Sequence, residues 1–402
     1  MPDATLIAPR FHALDRLLCQ LRPYWQFQPF HYRVPPWSGL TPGLWPSLTA
    51  LSEAEFGTLQ YDGPSRDRFL TAWLPEVAEL QRLRQLPAMR GTPLAPAPCL
   101  HHAVPGRKWQ QLTAFAPLVP SAGPVLEWCA GKGHLGRLLA GSSGRTVTSL
   151  ERDATLCREG AALARRAGVA MNFATVDVME PAAAAYLGPA VQAVALHACG
   201  DLHRRLLRQL TRQRGAGLTL APCCYHLTRE LPCRPLSGEG SASRLQLAKA
   251  DLHMVVQQTA TAPHRIAQQG RLEVIWRLAF DELQRACRRC DAYLPVPAMP
   301  RQLLRGDFAA FARWAAGRKQ LQLPPDWQPA HYLRLGEQRY RALRRVEWVQ
   351  HAFQRPLEIW LLLDYALLLQ EHGYRVEVGE FCDARLTPRN LLLRALAPEA
   401  AL

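Results

Sequence analysis

A glycine-rich turn after a short apolar segment is the part of this chain best suited to hold a ligand. Residues 125–128 have the apolar character of a strand, glycines follow at positions 131, 133 and 136, and leucines at 135, 138 and 139 have helical spacing. Such a turn lets the backbone approach a nucleotide-like ligand and points helix N–H groups at an anionic group. The pattern therefore predicts a small-molecule site between a strand and a helix.

Two classes of cofactor fit this turn. The glycine spacing matches the dinucleotide pattern G-x-G-x-x-G, and with the preceding acid Glu127 it also matches the first motif of class I S-adenosylmethionine methyltransferases. S-adenosylmethionine has a sulfonium, an ammonium and a carboxylate but no pyrophosphate. Glu127 could pair with the cationic end, while helix-start N–H groups meet the carboxylate. Because a pyrophosphate would gain nothing from this acid, the turn favours a methyltransferase over a nicotinamide enzyme.

Acidic residues follow the next two predicted strands. The segment 147–150 ends at Glu151, at the distance from the glycines expected of a ribose-binding acid. The stretch 169–176 ends at Asp177, which could accept a hydrogen bond from an adenine amino group. Lys132 is either a contact to the cofactor carboxylate or an RNA phosphate, or a solvated turn residue. The candidate cofactor contacts are Glu127, Cys129, Ala130, Gly131, Lys132, Gly133, His134, Leu135, Gly136, Glu151, Arg152, Asp177, Val178 and His197.

Polar residues also follow two further predicted strands, 191–196 and 217–221. Five strands that alternate with helices predict a parallel, doubly wound α/β sheet. The polar residues at the carboxyl ends of its strands predict that the ligand crevice lies there. The candidate catalytic residues are His197, Asp201, Cys223, Cys224, Tyr225 and His226.

The roles of the catalytic candidates stay open at this point. His197 could accept a proton from the methyl acceptor or orient it, and Asp201 could contact the acceptor or cap the following helix. In the segment 223–226, a cysteine could attack C6 of a pyrimidine to activate C5, or Tyr225 and His226 could shape the pocket for direct attack on the methyl group. The cysteines could also be core residues. No metal site is expected, since the lone C-x-x-C at 287–290 lacks two further ligands at regular spacing.

Four motifs in one order carry a family resemblance: 127–136, 197–201, 223–226 and Thr-Pro-Arg-Asn at 387–390. Residues from about 106 to 402 resemble the methyltransferase family that contains the eukaryotic tRNA 2′-O-methyltransferase of acceptor-stem position 4. The same family includes methyltransferase-like proteins once described as ribosomal RNA adenine dimethylase-like. The resemblance implies the class I methyltransferase fold, S-adenosylmethionine as cofactor and an RNA substrate, either tRNA or ribosomal RNA.

The composition favours a polyanionic partner, and the alternative is that the charge only keeps the protein soluble. The formal net charge is +15, and arginine supplies 44 of the 48 basic residues. Arginine makes bidentate contacts to phosphate and stacks on bases. Eleven cysteines without a signal peptide indicate a reducing compartment, and no apolar run reaches the length of a membrane span. We therefore expect a cytoplasmic, bacterial protein that binds RNA and no membrane.

The predicted architecture is a Rossmann-like class I methyltransferase sheet, parallel with a C-terminal antiparallel hairpin. It is expected to carry a helical N-terminal region, at 1–105, and a helical insertion, at 231–371, around a core formed by 106–230 and 372–402. The insertion is predicted to hold helices at 245–257, 266–290, 306–321, 336–354 and 357–371. Aromatic residues between 24 and 45 form either a small core or a surface that stacks on unpaired bases.

Two arginine clusters are either phosphate contacts or solvated helix faces. One follows the fourth strand at 204, 205, 208, 212 and 214, and the other lies in the insertion at 339, 341, 344 and 345. Together with the turn, these patterns favour an S-adenosylmethionine-dependent enzyme that modifies RNA by in-line methyl transfer. The alternatives are a protein or small-molecule methyltransferase and a non-catalytic RNA-binding protein.

Overall fold

The computed structural model describes residues 7–257 and 264–397. Within them the chain divides into two compact units. The sheet unit contains residues 7–19, 80–257 and 354–397, and the helical unit contains 20–79 and 264–353. The second unit thus combines segments that are distant in the sequence, and the domain boundaries expected from composition stay predictions.

A seven-stranded sheet forms the centre of the sheet unit. Its order is β3-β2-β1-β4-β5-β7-β6, with β1 to β5 parallel and β7 antiparallel to both of its neighbours. This order confirms the predicted class I methyltransferase fold with its closing hairpin. The strands are β1 Val125–Trp128, β2 Val147–Glu151, β3 Asn172–Thr175, β4 Gln192–Cys199, β5 Gly217–Cys223, β6 Arg375–Glu380 and β7 Leu391–Leu396.

The central strands are apolar because helices cover both faces of the sheet. Every residue of β1 and β5 is buried, and the core beside them includes Phe115, Leu138 and Leu392, all fully buried. The strand order reverses between β1 and β4. Connections from these two strands leave in opposite directions, so a crevice opens outside their carboxyl ends.

The other regular elements of the described chain are helices. The α-helices are α1 Ile7–Gln20, α2 Arg22–Trp25, α3 Leu44–Ala50, α4 Glu53–Leu59, α5 Gly63–Thr71, α6 Glu76–Leu83, α7 Gly106–Phe115, α8 His134–Ser143, α9 Ala154–Arg166, α10 Asp201–Gln213, α11 Gly238–Ser241, α12 Lys249–Val256, α13 His264–Arg288, α14 Phe308–Arg318 and α15 Pro329–Glu371. Short 3-10 helices lie at Pro29–His31, Pro36–Gly39, Pro98–His101, Ala116–Leu118, Pro181–Tyr186 and Arg301–Arg305. Among the described residues, no helix combines the length and apolarity needed to cross a membrane.

Helix α15 differs from the prediction of two helices at 336–354 and 357–371. It runs unbroken for 43 residues, with Pro356 inside it. A proline there removes one backbone hydrogen bond and normally ends or kinks a helix. Ala352, Phe353 and Leu357 around the proline are fully buried, so side-chain packing on both sides outweighs the lost bond.

The aromatic segment near the N-terminus belongs to the core of the helical unit rather than to a stacking surface. Trp25 and Trp37 are 1% and 0% exposed, and Tyr24 stacks on Trp37 with ring centroids 6.0 Å apart. Buried rings cannot reach an unpaired base. The role of this segment in base stacking, one of the two alternatives above, is therefore contradicted for these three residues.

We predict that Gly136→Ala destabilises the sheet unit by about 1–3 kcal/mol through overpacking. A methyl group at this position of α8 would lie 2.5 Å from the Glu127 carboxylate and 2.9 Å from the Ser149 hydroxyl. Urea unfolding measures the change. The control is Gly57→Ala in α4, where the new methyl meets no atom within 4 Å and we expect no loss of stability. Equal stability of Gly136→Ala and the wild type would contradict the packing described.

Candidate active site

The glycine turn has the backbone geometry that only glycine adopts easily. Gly131 and Gly133 have φ angles of +59° and +62°, in the left-handed region. A Cβ on Gly133 would also lie 2.6 Å from the Phe173 ring. The Gly131 N–H donates to Oε2 of Glu151 over 2.9 Å, and the Ala130 N–H donates to the Leu150 carbonyl over 2.9 Å. The turn is thereby fixed to the end of β2.

A cavity of about 550 Å³ opens beside this turn at the carboxyl ends of the strands. Six of the predicted site residues line it, namely Cys129, Glu151, Arg152, Asp177, Val178 and Asp201. The sequence reasoning missed Cys199, Leu227, Thr228, Arg229 and Lys249, which also line it. Residues 227–229 directly follow the predicted catalytic segment and could have been suspected, whereas nothing in the sequence places Lys249 here.

Glu151 and Asp177 keep carboxylate oxygens available on the cavity wall. Oε2 of Glu151 accepts from Gly131, and Oε1 accepts from the Asp153 N–H over 3.1 Å. Asp177 Oδ1 accepts from the Met179 N–H over 2.9 Å. Because each carboxylate offers about four lone-pair directions, both acids can still accept hydrogen bonds from a ligand.

Glu127 is placed differently from what the sequence suggested. Its side chain is 5% exposed and does not line the cavity. Oε2 accepts from the Ser149 hydroxyl over 2.6 Å, and the backbone N–H groups of Leu135 and Gly136 also donate to this carboxylate. Burial raises the pKa of Glu127 to about 7. The carboxylate thus holds the start of α8 against β2 and is not part of the cavity wall.

Other residues of the turn also face away from the cavity. Lys132 forms a surface ion pair with Glu159 of α9, with Nζ and Oε2 2.6 Å apart. His134 is buried next to Arg137, and desolvation together with the Lys108 ammonium lowers the pKa of His134 to about 4. Leu135 is 3% exposed and belongs to the core beneath α8. These three side chains are therefore not part of the cavity wall.

His197 lies where β4 ends, in a left-handed conformation with φ +71°. Its Nε2 lies 2.9 Å from Oε1 of Gln111 on α7. Since the amide oxygen can only accept, Nε2 carries the proton and Nδ1 has a free lone pair. Desolvation and the nearby Lys108 lower the pKa of His197. Lys108 and Gln111 were not predicted, because they precede the glycine turn on a helix with no motif of its own.

Asp201 holds the segment after β5 rather than capping α10. Its Oδ2 accepts from the Arg229 N–H over 2.8 Å, and the Asp201 N–H donates to the Leu227 carbonyl over 3.0 Å. The residue before the helix is Gly200, which provides no side-chain cap. Asp201 therefore fixes the wall of the cavity formed by 227–229.

The residues after β5 separate into buried and accessible groups. Cys223 and Tyr225 are 3% and 2% exposed, and the Tyr225 ring packs against His203 and Tyr365. Burial raises the pKa of Tyr225, so its hydroxyl stays protonated in the core and is not placed to contact an acceptor. Cys224 is half-buried, and His226 packs edge-on against His253 with centroids 5.1 Å apart.

The predicted arginine track along α10 is wrong for Arg204, which is 2% exposed and pairs with Glu230 over 3.1 Å. The rest of α10 runs from the crevice toward the amino ends of the strands.

In the second arginine cluster, Arg339 pairs with Asp281. Arg345 is 5% exposed and pairs with Glu53 over 2.9 Å. Arg339 thus neutralises a buried acid, and Arg204 and Arg345 are themselves buried, so these three arginines are structural.

The buried carboxylate of Glu127 makes the stability of the sheet unit depend on pH. The pKa of Glu127 in the folded protein, about 7, lies above the ordinary value of 4.5. The contribution of this group to the free energy of unfolding is therefore fully present below pH 4.5 and is lost as the pH rises through 7. We expect Glu127→Gln to remove this fall. Relative to wild type, the free energy of unfolding of Glu127→Gln should rise by about 2–3 kcal/mol between pH 5 and pH 8. Urea unfolding at several pH values measures it.

The matched control is Glu159→Gln, which removes a surface carboxylate of the same type. Its difference from wild type should not change with pH in this range by more than about 0.5 kcal/mol. A Glu127→Gln profile parallel to that of the wild type would show that the folded protein does not hold this carboxylate desolvated.

Comparison with known proteins assigns the domain. Residues 108–231 match the family model of a methyltransferase domain, and none of the curated proteins compared matches the chain. Two solved structures share 19–20% identity, each with a TM-score of 0.23. One is the tRNA (uracil-54, C5)-methyltransferase of Pyrococcus abyssi in complex with S-adenosyl-L-homocysteine, for which the alignment covers 27% of this chain and 26% of that protein. The other is EvdMO1, for which the alignment covers 37% of this chain and 35% of that protein. The chain thus spans about a quarter to a third of their lengths. With the strand order and the glycine turn, the family match makes residues 108–231 part of a class I methyltransferase domain whose cofactor is S-adenosylmethionine.

Proposed function

We propose that this protein transfers a methyl group from S-adenosylmethionine to RNA, either tRNA or ribosomal RNA. The main observation in support is the positive charge at the mouth of the cavity. Arg152, Arg229 and Lys249 line it, are exposed, and form no ion pair with a described residue. Three unpaired cations beside a methyl-donor site attract a substrate with several phosphates. The net charge of +15 favours the same class of substrate.

The cofactor would lie along the edge formed by β1, β2 and β3. Glu151 at the end of β2 would accept hydrogen bonds from the ribose hydroxyls, and Asp177 after β3 would accept from the adenine amino group. Gly131 and Gly133, which the positive φ angles of the turn favour, have no Cβ and so would let the cofactor approach the backbone closely. When bound, S-adenosylmethionine supplies an electrophilic methyl carbon on its sulfonium.

The acceptor would enter from the side of β4 and β5. Two histidines would then border this entry, His197, which Gln111 holds with Nδ1 available, and His226, which packs against His253. His197 would accept a hydrogen bond from an O–H or N–H of the nucleotide and thereby orient it. In-line methyl transfer depends mainly on such orientation, because the donor is already activated.

We predict that Glu151→Gln weakens binding of S-adenosylhomocysteine by about 10- to 100-fold, the effect of losing hydrogen bonds to a charged acceptor. Isothermal titration calorimetry measures it. Glu159→Gln, on the neighbouring helix α9 and outside the cavity, is the matched control and should bind like the wild type. Equal affinity of all three proteins would contradict the cofactor position proposed above.

The test of the function uses S-adenosylmethionine labelled on its methyl group. Purified protein is incubated separately with RNA and with protein extract from a strain that lacks the gene, and the label is located. We expect label in RNA. The variant Arg152→Ala/Arg229→Ala/Lys249→Ala should label RNA at least 10-fold more slowly at low RNA concentration, because it loses three phosphate contacts and therefore binds RNA more weakly. Three such contacts contribute about 2 to the slope of log K against log salt concentration for single strands.

A second triple variant controls for net charge. Arg212→Ala/Arg214→Ala/Arg375→Ala removes the same charge from exposed residues at the opposite, amino end of the strands, and it should label RNA like the wild type. Equal loss in both triple variants would show that overall charge, not the cavity mouth, attracts RNA. Label found only in protein or in small molecules would overturn the RNA proposal and favour those substrates instead.

A further inference from the structure

Three cysteines converge where β4 and β5 end. The sulfur atoms of Cys199, Cys223 and Cys224 all lie within 4.8 Å of one another, and Cys199 Sγ is 3.3 Å from Cys223 Sγ. None of them forms a disulfide. Cys223 is buried, while Cys199 and Cys224 are half-buried. The cluster thus combines a protected interior with a side that a small ion can reach.

Backbone irregularities in both strands bring these sulfurs together. Cys199 is the cross-strand partner of Cys223, after a register shift that begins at Leu196. Consecutive side chains in a strand point to opposite faces, which would separate the two sulfurs of Cys223 and Cys224. The left-handed conformation of Cys224, with φ +45°, breaks this alternation and places both sulfurs in one cluster.

The spacing of the sulfurs fits a thiolate-bound metal. Tetrahedral zinc with Zn–S bonds of about 2.3 Å separates its sulfur ligands by about 3.8 Å. The Cys199 and Cys223 sulfurs are 3.3 Å apart, and no two of the three sulfurs are more than 4.8 Å apart. Thiolate ligands select zinc and copper(I) over harder ions.

We propose that Cys199, Cys223 and Cys224 bind a thiophilic d10 ion, most favourably zinc, with one coordination position open to the methyl-donor cavity. Cys199 lines that cavity, so an ion bound to its sulfur would lie beside the cavity. Three protein ligands and one open position is the arrangement of catalytic rather than structural zinc sites. An ion there would polarise an oxygen, nitrogen or sulfur atom of the acceptor. This proposal departs from the sequence-based expectation of no metal, because the three cysteines become neighbours only in the folded sheet.

The test measures metal binding directly and needs no methyl acceptor, so its outcome is independent of whether RNA is the substrate. Full-length protein is purified under reducing conditions without chelators, its zinc and copper are measured by mass spectrometry, and the metal-free protein is titrated with Cd²⁺. We expect one equivalent of metal and an ultraviolet cadmium–thiolate charge-transfer band of matching stoichiometry. Zinc or copper in the purified protein distinguishes the two thiophilic ions.

Cys199→Ser and Cys224→Ser are the informative variants, because both residues are half-buried and the fold should tolerate the change. Circular dichroism checks their folding, and each should lose at least 90% of the bound metal. The control is Cys287→Ser/Cys290→Ser, which removes the C-x-x-C pair at the end of α13 and should keep the metal. Metal content and cadmium bands equal to those of the wild type in Cys199→Ser and Cys224→Ser would overturn the proposal, as would a Cys199–Cys223 disulfide in the reduced preparation.

A second measurement tests the open position. In the Co²⁺-substituted protein, S-adenosylhomocysteine should shift the visible absorption bands of the metal, because the cavity that holds it shares Cys199 with the cluster. Spectra that stay unchanged at saturating S-adenosylhomocysteine would show that the ion is closed off from the cavity. That result would overturn the open coordination position. The existence of the metal site is tested separately, by the metal content and the cadmium titration.

Discussion

The reversal of strand order between β1 and β4 is the constraint on which the site depends. The parallel pairing of β1 to β5 places their carboxyl ends at one edge, and the reversal makes the connections diverge from that edge instead of covering it. Glu151, Asp177, His197, Asp201 and the cysteine cluster all reach this edge for that reason. They come from four different strand ends, so no local segment could assemble them.

The same edge contains an unusual share of strained backbone. Cys129 follows β1, His197 lies two residues before the end of β4, and Cys224 follows β5. Each has a positive φ angle although none is glycine. Such conformations cost of order 1–3 kcal/mol each. The fully buried strands behind them supply the packing that offsets this cost. Strain concentrated at one edge is typical of sites where side chains must point in directions that regular strands do not allow.

A polar network behind the site holds the closing hairpin in place. Asn390 donates to the Cys382 carbonyl over 2.8 Å and accepts from Arg355 over 2.8 Å, and Arg389 donates to the carbonyl groups of Val255 and Val256. The Thr-Pro-Arg-Asn motif therefore connects the hairpin to α12 and α15. Its contribution to the site is indirect, since α12 begins with Lys249 at the cavity mouth.

The sequence by itself determined the features that depend on neighbours along the chain. The glycine turn, the alternation of strands and helices, and the acids at the ends of β2 and β3 were all predicted, because turn chemistry and hydrophobic periodicity act over a few residues. The tertiary structure alone decided which side chains meet. It buried Glu127 beneath α8, paired Arg204 and Arg345 with acids, kept α15 continuous through Pro356, and brought Lys249 to the cavity. Burial and electrostatic pairing depend on residues distant in the sequence, so only the folded chain determines them.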